Sequence, residues 1–175
     1  MLAANDIVVS LEGNRVTLTL DPAGAAIFNL GTGYDAKSGV LMITATSKGT
    51  ISTAAPIAGI SVDTKADTIS VNLKTLPNFA GLSVVGGAGR DLVTLGSGGV
   101  NLAAVGRGAV SQGVSINTGA GTSDTITIAG PLVTKGAGAV SLVTQAQPLS
   151  GIQLAASIKS TGGSQTFTGP CDAAG

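Results

Sequence analysis

One phrase of this chain returns, altered, further along. Gly86-Gly87-Ala88-Gly89-Arg90-Asp91-Leu92-Val93-Thr94-Leu95 is echoed by Thr118-Gly119-Ala120-Gly121-Thr122-Ser123-Asp124-Thr125-Ile126-Thr127-Ile128. A fainter version, Asp63-Thr64-Lys65-Ala66-Asp67-Thr68-Ile69-Ser70-Val71, precedes both. Each version reads as a glycine-rich or polar turn, an aspartate and a strand. A chain that repeats one strand-turn unit builds a stacked array more readily than a compact globule, because each unit needs a neighbour to bury its apolar face.

Composition agrees with narrow, layered packing. Hydrophobic residues make up 43% of the 175, yet aromatics are only 2%. The apolar content is therefore Val, Ile, Leu and Ala, side chains that fit thin layers. Charged residues are 10% and the formal net charge is +0, so steering toward nucleic acid or an anionic membrane has no source. No run of about eighteen apolar residues occurs, so no membrane span is expected. The start, Met1-Leu2-Ala3-Ala4-Asn5-Asp6, lacks a basic region followed by an apolar one, and any secretion signal is expected to lie outside this chain. Cys171 is the one cysteine, which excludes an internal disulfide.

Period-two alternation marks the strands. It runs through Ile7–Leu11, Arg15–Leu20, Leu41–Thr46, Thr68–Leu73, Leu92–Leu95, Thr125–Ile128, Val140–Thr144 and Gln165–Thr168. The Leu149–Ile158 stretch also reads as strand, from Gly151 and the Ile152/Leu154 alternation. Gly13-Asn14 between the first two runs predicts an antiparallel hairpin, and Asp21-Pro22-Ala23-Gly24 a turn. From about Gly59 onward, strands anchored at Ile60, Leu82, Val114 and Val140 recur every 22 to 32 residues or so.

The expected fold is all-β: an irregular N-terminal hairpin or capping region over residues 1–58, then a parallel β-helix (β-solenoid) over 59–175 in one continuous domain. Its coils would stack about 4.8 Å apart with Val, Ile and Leu inward and Thr, Ser and Asn outward. A β-sandwich built from the same short strands is the alternative, favoured by the opening hairpin.

Candidate chemistry is sparse. Gly86–Thr94 matches the GGxGxDxUx nonapeptide of calcium-binding β-rolls, which makes Asp91 and Asp124 candidate calcium ligands. The spacing of about 33 residues between copies fits a coil period rather than a nonapeptide one. The other reading of both residues is a turn aspartate that accepts backbone N–H bonds. Gly87–Leu92 lacks the last glycine of GxGxxG, and no helix follows it to bind phosphate. No histidine is present, so Ser-His and Cys-His pairs and histidine-based zinc sites are excluded. No catalytic residue is assigned. Among the nine acids, Asp63/Asp67 and Asp91/Asp124 are the pairs able to meet, and a carboxylate pair of that kind keeps a polysaccharide-active β-helix enzyme as an alternative. The Thr-x-Thr pairs Thr17/Thr19, Thr44/Thr46, Thr125/Thr127 and Thr166/Thr168 suit outward strand positions. Arg90 and Arg107 could form a basic spot, but no aromatics accompany it to stack on bases. Phe28, Tyr34, Phe79 and Phe167 read as plugs or loop anchors.

Two stretches carry a family resemblance. Leu76-Pro77-Asn78-Phe79-Ala80-Gly81-Leu82-Ser83-Val84 with Gly86–Asp91, and Ser157–Pro170, resemble the repeats of large bacterial β-strand-repeat surface proteins. These are the filamentous-haemagglutinin-like adhesins and autotransporter passengers. The resemblance covers about residues 60–170 and rests on small and hydroxyl residues. It implies secretion, cell-surface display and a structural or adhesive role, and it brings no catalytic residue. Cys171–Gly175 departs from the pattern, since such repeats would continue into another strand. The expected function is accordingly a non-enzymatic structural or adhesive segment that self-associates end to end, with a calcium- or glycan-binding module as the alternative. Nucleic acid is not an expected partner.

Overall fold

A computed structural model describes residues 6–173 apart from 22, 31–33, 36, 77, 96, 97, 106–109 and 146–149. Arg107, and Pro22 of the anticipated turn, lie outside the described residues. The protein is all-β. Its strands are β1 (Ile7–Glu12), β2 (Arg15–Leu20), β3 (Ala26–Asn29), β4 (Tyr34–Asp35), β5 (Val40–Ser47), β6 (Ile51–Thr53), β7 (Ile60–Asp63), β8 (Thr68–Asn72), β9 (Gly81–Val85) and β10 (Leu92–Leu95). They continue as β11 (Val100–Asn101), β12 (Gly113–Asn117), β13 (Thr125–Ile128), β14 (Leu132–Val133), β15 (Val140–Val143), β16 (Gly151–Leu154), β17 (Ile158–Lys159), β18 (Gln165–Thr168) and β19 (Cys171–Ala173). Among the described residues, no helix is long and apolar enough to cross a membrane.

Three sheets order these strands as β18-β15-β12-β9-β2-β1-β6, as β19-β16-β13-β10-β3-β5-β8-β7, and as β11-β14-β17. From β9 onward successive strands visit the three sheets in turn, and each pairs in parallel with its counterpart on the next visit. Leu82 lies opposite Val114, Val114 opposite Val140, and Val140 opposite Gln165. On the second sheet Phe28, Val93, Ile126, Ile152 and Cys171 form a row. On the third, Val100, Leu132 and Ile158 do. Alternation with a period of two keeps each row on one face, so apolar residues meet apolar residues from Leu82 to Val140, and the first row closes on the exposed Gln165. Leu18, Val84, Ile116 and Leu142 are all at most 1% exposed.

The opening hairpin forms as the sequence indicates, with Ile7 opposite Leu20 and Glu12 opposite Arg15. Gly13 (φ 54°) and Asn14 (φ 63°) take the left-handed conformation that a tight two-residue hairpin turn needs. β2 and β3 then join the parallel rows through β9 and β10.

Antiparallel pairing extends further along the chain than the expected boundary at 58. β5 pairs with β3 and β8, and β7 with β8. Ile60 therefore belongs to a hairpin and not to the row of Leu82, and the faint Asp63–Val71 echo is that hairpin. The physical reason is its turn. Asp63 Oδ1 accepts the N–H groups of Lys65 and Ala66, and Asp67 sits at φ 51°, which reverses the chain within four residues.

Candidate functional site

The two aspartates of the echo meet inside the molecule. Each stands immediately before a strand of the second sheet, Asp91 before β10 and Asp124 before β13. The parallel register sets them one above the other at the corner where the chain leaves the first sheet for the second. Both are 0% exposed. Asp91 Oδ1 accepts the Ala26 N–H at 2.7 Å, and Oδ2 accepts the Gly87 N–H at 2.8 Å. Asp124 Oδ1 accepts the Asp91 N–H at 2.9 Å. Ser150, before β16, continues the line: its Oγ accepts the Asp124 N–H at 3.0 Å. A side-chain oxygen thus receives the amide of the preceding level at three successive steps, where a row of turns would otherwise bury N–H groups without acceptors.

Glycine makes room for this arrangement. A Cβ on Gly86 would stand 2.4 Å from Asp91 Oδ2 and 2.6 Å from the Thr118 carbonyl oxygen. The leading glycines of the echo leave space for a buried carboxylate and a neighbouring backbone.

The two levels differ in one contact. Gly87 N–H reaches Asp91, but the corresponding Gly119 N–H turns to Asn117 Oδ1 at 3.0 Å, where the first level has Val85. Among the described residues, Asp124 Oδ2 is buried with no hydrogen-bond partner, as are Thr118 Oγ1 and Thr144 Oγ1. Burial pushes the Asp91 carboxyl up to about 6; the Gly87 and Ala26 amides oppose the rise, and Asp124 adds to it.

This geometry bears on each sequence-derived candidate. Asp91 and Asp124 do come together, but as interior acceptors with Asp91's two oxygens both engaged by amides. Asp63 and Asp67 flank an exposed turn. Asp21 and Asp35 also cap turns, accepting the N–H groups of Ala23 and of Lys37 and Ser38. Among the described residues, no group of three or more Cys, Asp or Glu side chains is placed to hold a metal ion. Thr125 and Thr127 lie on the outer face of the second sheet, where Asn29, Thr94, Thr127 and Gln153 form a polar row that runs on to Asp172. Phe28 and Phe79 are buried plugs, Tyr34 packs against the core, and Phe167 is 37% exposed.

Two participants had no counterpart among the sequence candidates. Ser150 replaces the aspartate and so breaks the echo; its signal is its place directly before an alternating strand, one period after Asp124. Arg15 is the other. Its Nη1 donates to the carbonyls of Leu82 at 3.0 Å and Gly113 at 3.2 Å, stapling β2 to the next two strands of its sheet.

Comparison with known protein families, characterised proteins and solved structures found no match to this chain.

Proposed function

We propose that residues 81–173 form a parallel β-solenoid, and that the chain is a non-enzymatic structural and adhesive element of a secreted or cell-surface protein. The observation that carries this reading is the in-register return of the chain to three rows, joined at one corner by Asp91, Asp124 and Ser150. Stacked turns satisfy one another's backbone and bury continuous apolar rows, so stiffness grows with their number. β1 and β5–β8 close one end, with antiparallel pairs throughout except β6, which pairs in parallel with β1.

The same corner speaks against catalysis. An acid–base pair must reach a substrate, whereas the carboxylates that meet are sealed inside. They serve as amide acceptors rather than calcium ligands. The outer row of Asn29, Thr94, Thr127 and Gln153 supplies hydroxyls and amides for contact with glycan hydroxyls.

Displayed on inert beads, the chain is expected to retain them on a glycan-coated surface without releasing new reducing ends or unsaturated products. Product release would overturn the non-enzymatic reading, and absence of retention across glycan and cell surfaces would remove the adhesive one. Calcium is expected to leave the melting temperature unchanged; a rise that chelator reverses would restore the calcium reading.

A further inference from the structure

The corner between the first two sheets is not built alike on successive levels. On one level it runs from Gly86 to Asp91, between β9 and β10. On the next it runs from Thr118 to Asp124, between β12 and β13, and is one residue longer. Val85 lies opposite Asn117 and Leu92 opposite Thr125, so Thr118 holds the place of Gly86 and Asp124 that of Asp91. The first and last positions of the corner face each other: a Cβ on Gly86 would stand 2.4 Å from Asp91 Oδ2. On the second level the first position carries a hydroxyl, and the last again carries a carboxylate.

What differs is the donor. Asp91 Oδ2 takes the Gly87 N–H, whereas Asn117 Oδ1 holds the Gly119 N–H. Asp124 Oδ1 is engaged by the Asp91 N–H, as Asp91 Oδ1 is by the Ala26 N–H, so the two levels diverge at Oδ2 alone. Thr118 and Asp124 are both 0% exposed, and among the described residues neither Thr118 Oγ1 nor Asp124 Oδ2 has a hydrogen-bond partner. Thr144 follows Thr118 on the next strand of the first sheet, where the Thr118 N–H donates to the Val143 carbonyl at 3.1 Å. Its buried Oγ1 is likewise without a partner among the described residues. A buried carboxylate oxygen is costly without a donor, and a threonine hydroxyl can both donate and accept.

We propose that the second level binds one water molecule between Thr118 Oγ1 and Asp124 Oδ2, and that this water takes the part that the Gly87 amide plays for Asp91. It rests on the stacked reading above. Water matches the donor count. It gives one hydrogen to Asp124 Oδ2, accepts the Thr118 hydroxyl, and keeps a second hydrogen for the next polar group along the corner, which the Thr144 hydroxyl supplies. Roughly two to four polar partners are what a buried water takes. A calcium ion does not match, since it takes about six to eight oxygens and the corner offers one carboxylate oxygen and two hydroxyls. The additional residue lengthens the corner on the level that carries the bridge.

The test joins a crystal structure of the full chain to NMR of the same protein. An ordered water is expected within about 3.2 Å of both Thr118 Oγ1 and Asp124 Oδ2. In solution, a long-lived water is expected to show a nuclear Overhauser contact with the amide protons around Thr118. Thr118→Val keeps the shape and removes the hydroxyl, and is expected to lose both signals. Thr118→Ser is expected to retain both, and strand content should be unchanged throughout. Where Thr118→Val does not fold, the wild type and Thr118→Ser still decide. Thr118 Oγ1 bonded directly to Asp124 Oδ2, a metal ion between them, no water at either atom, or a water that persists unchanged in Thr118→Val would overturn the proposal. Failure of the stacked reading itself shows separately, as loss of a cross-strand disulfide between positions 94 and 127.

Discussion

Asp124 accepts the backbone N–H of Asp91 at 2.9 Å across 33 residues of sequence. That bond joins two turns which are distant in the chain and adjacent in space. It turns the echoed Gly-Ala-Gly and Asp pattern from a surface motif into an internal seam. Removing the Asp91 carboxylate should therefore cost stability. Asp91→Ala leaves the amides of Ala26 and Gly87 buried without acceptors, at about 1–3 kcal/mol each. Asp91→Asn keeps one acceptor and should lose roughly half as much. Urea denaturation followed by circular dichroism checks the order wild type, Asn, Ala.

The same residue sets a pH dependence. An unperturbed Asp carboxyl titrates near 3.8, and in the folded protein burial pushes Asp91 up to about 6. The native state thus holds this proton more tightly. Its stabilising contribution is complete below 3.8 and is lost as the pH rises through about 6. The wild-type denaturation midpoint should rise as the pH falls from neutral toward 4.5 or so, and Asp91→Asn should flatten that rise. Asp35 works in the opposite sense, since the Ser38 and Lys37 groups lower its pKa, but its contribution fades only at more acid pH. A midpoint that falls over this range in the wild type, with the variant unaltered, would count against the buried seam.

Gly86→Ala should be among the most damaging small substitutions. The added methyl meets Asp91 Oδ2 and the Thr118 carbonyl at distances no Cβ tolerates, and both neighbours are fixed by the stack. Overpacking of this kind costs about 1–3 kcal/mol, to which the displaced Gly87–Asp91 bond adds. Gly98→Ala, at a site with open space around the Cβ, serves as the control.

Arg15→Ala should destabilise the junction between the hairpin and the parallel rows. It removes two charge-assisted bonds to the carbonyls of Leu82 in β9 and Gly113 in β12, worth about 1.5–3 kcal/mol for each bond to a charged group. Hydrogen exchange should show faster opening of β1 and β2 than of β13 and β16.

Strand positions were legible in the sequence because alternation is local. Arg15–Leu20, Leu92–Leu95, Thr125–Ile128 and Gln165–Thr168 fall where the pattern puts them. Partner choice was less legible. Ile60 alternates as Leu82 does, yet an Asx turn at Asp63 folds it back onto β8, and alternation carries no record of which strand lies beside it. The aspartate pair was visible as a repeat, but its burial was not, since an exposed turn and an interior corner use the same Gly and Asp chemistry. Ser150 escaped because a hydroxyl does a carboxylate's work there.

The central claim is the in-register parallel stacking of β10, β13 and β16, and a disulfide trap tests it most directly. In a Cys171→Ser background, Thr94→Cys with Thr127→Cys places two thiols on directly opposed residues of neighbouring strands, within the Cα separation of about 4.4–6.8 Å that a disulfide spans. The stack predicts rapid, intramolecular oxidation of this pair and of the Thr127→Cys/Gln153→Cys pair one level on. Thr94→Cys with Gln153→Cys, two strands apart, should remain reduced. Oxidation of the 94/153 pair with the two neighbouring pairs left as free thiols would contradict it.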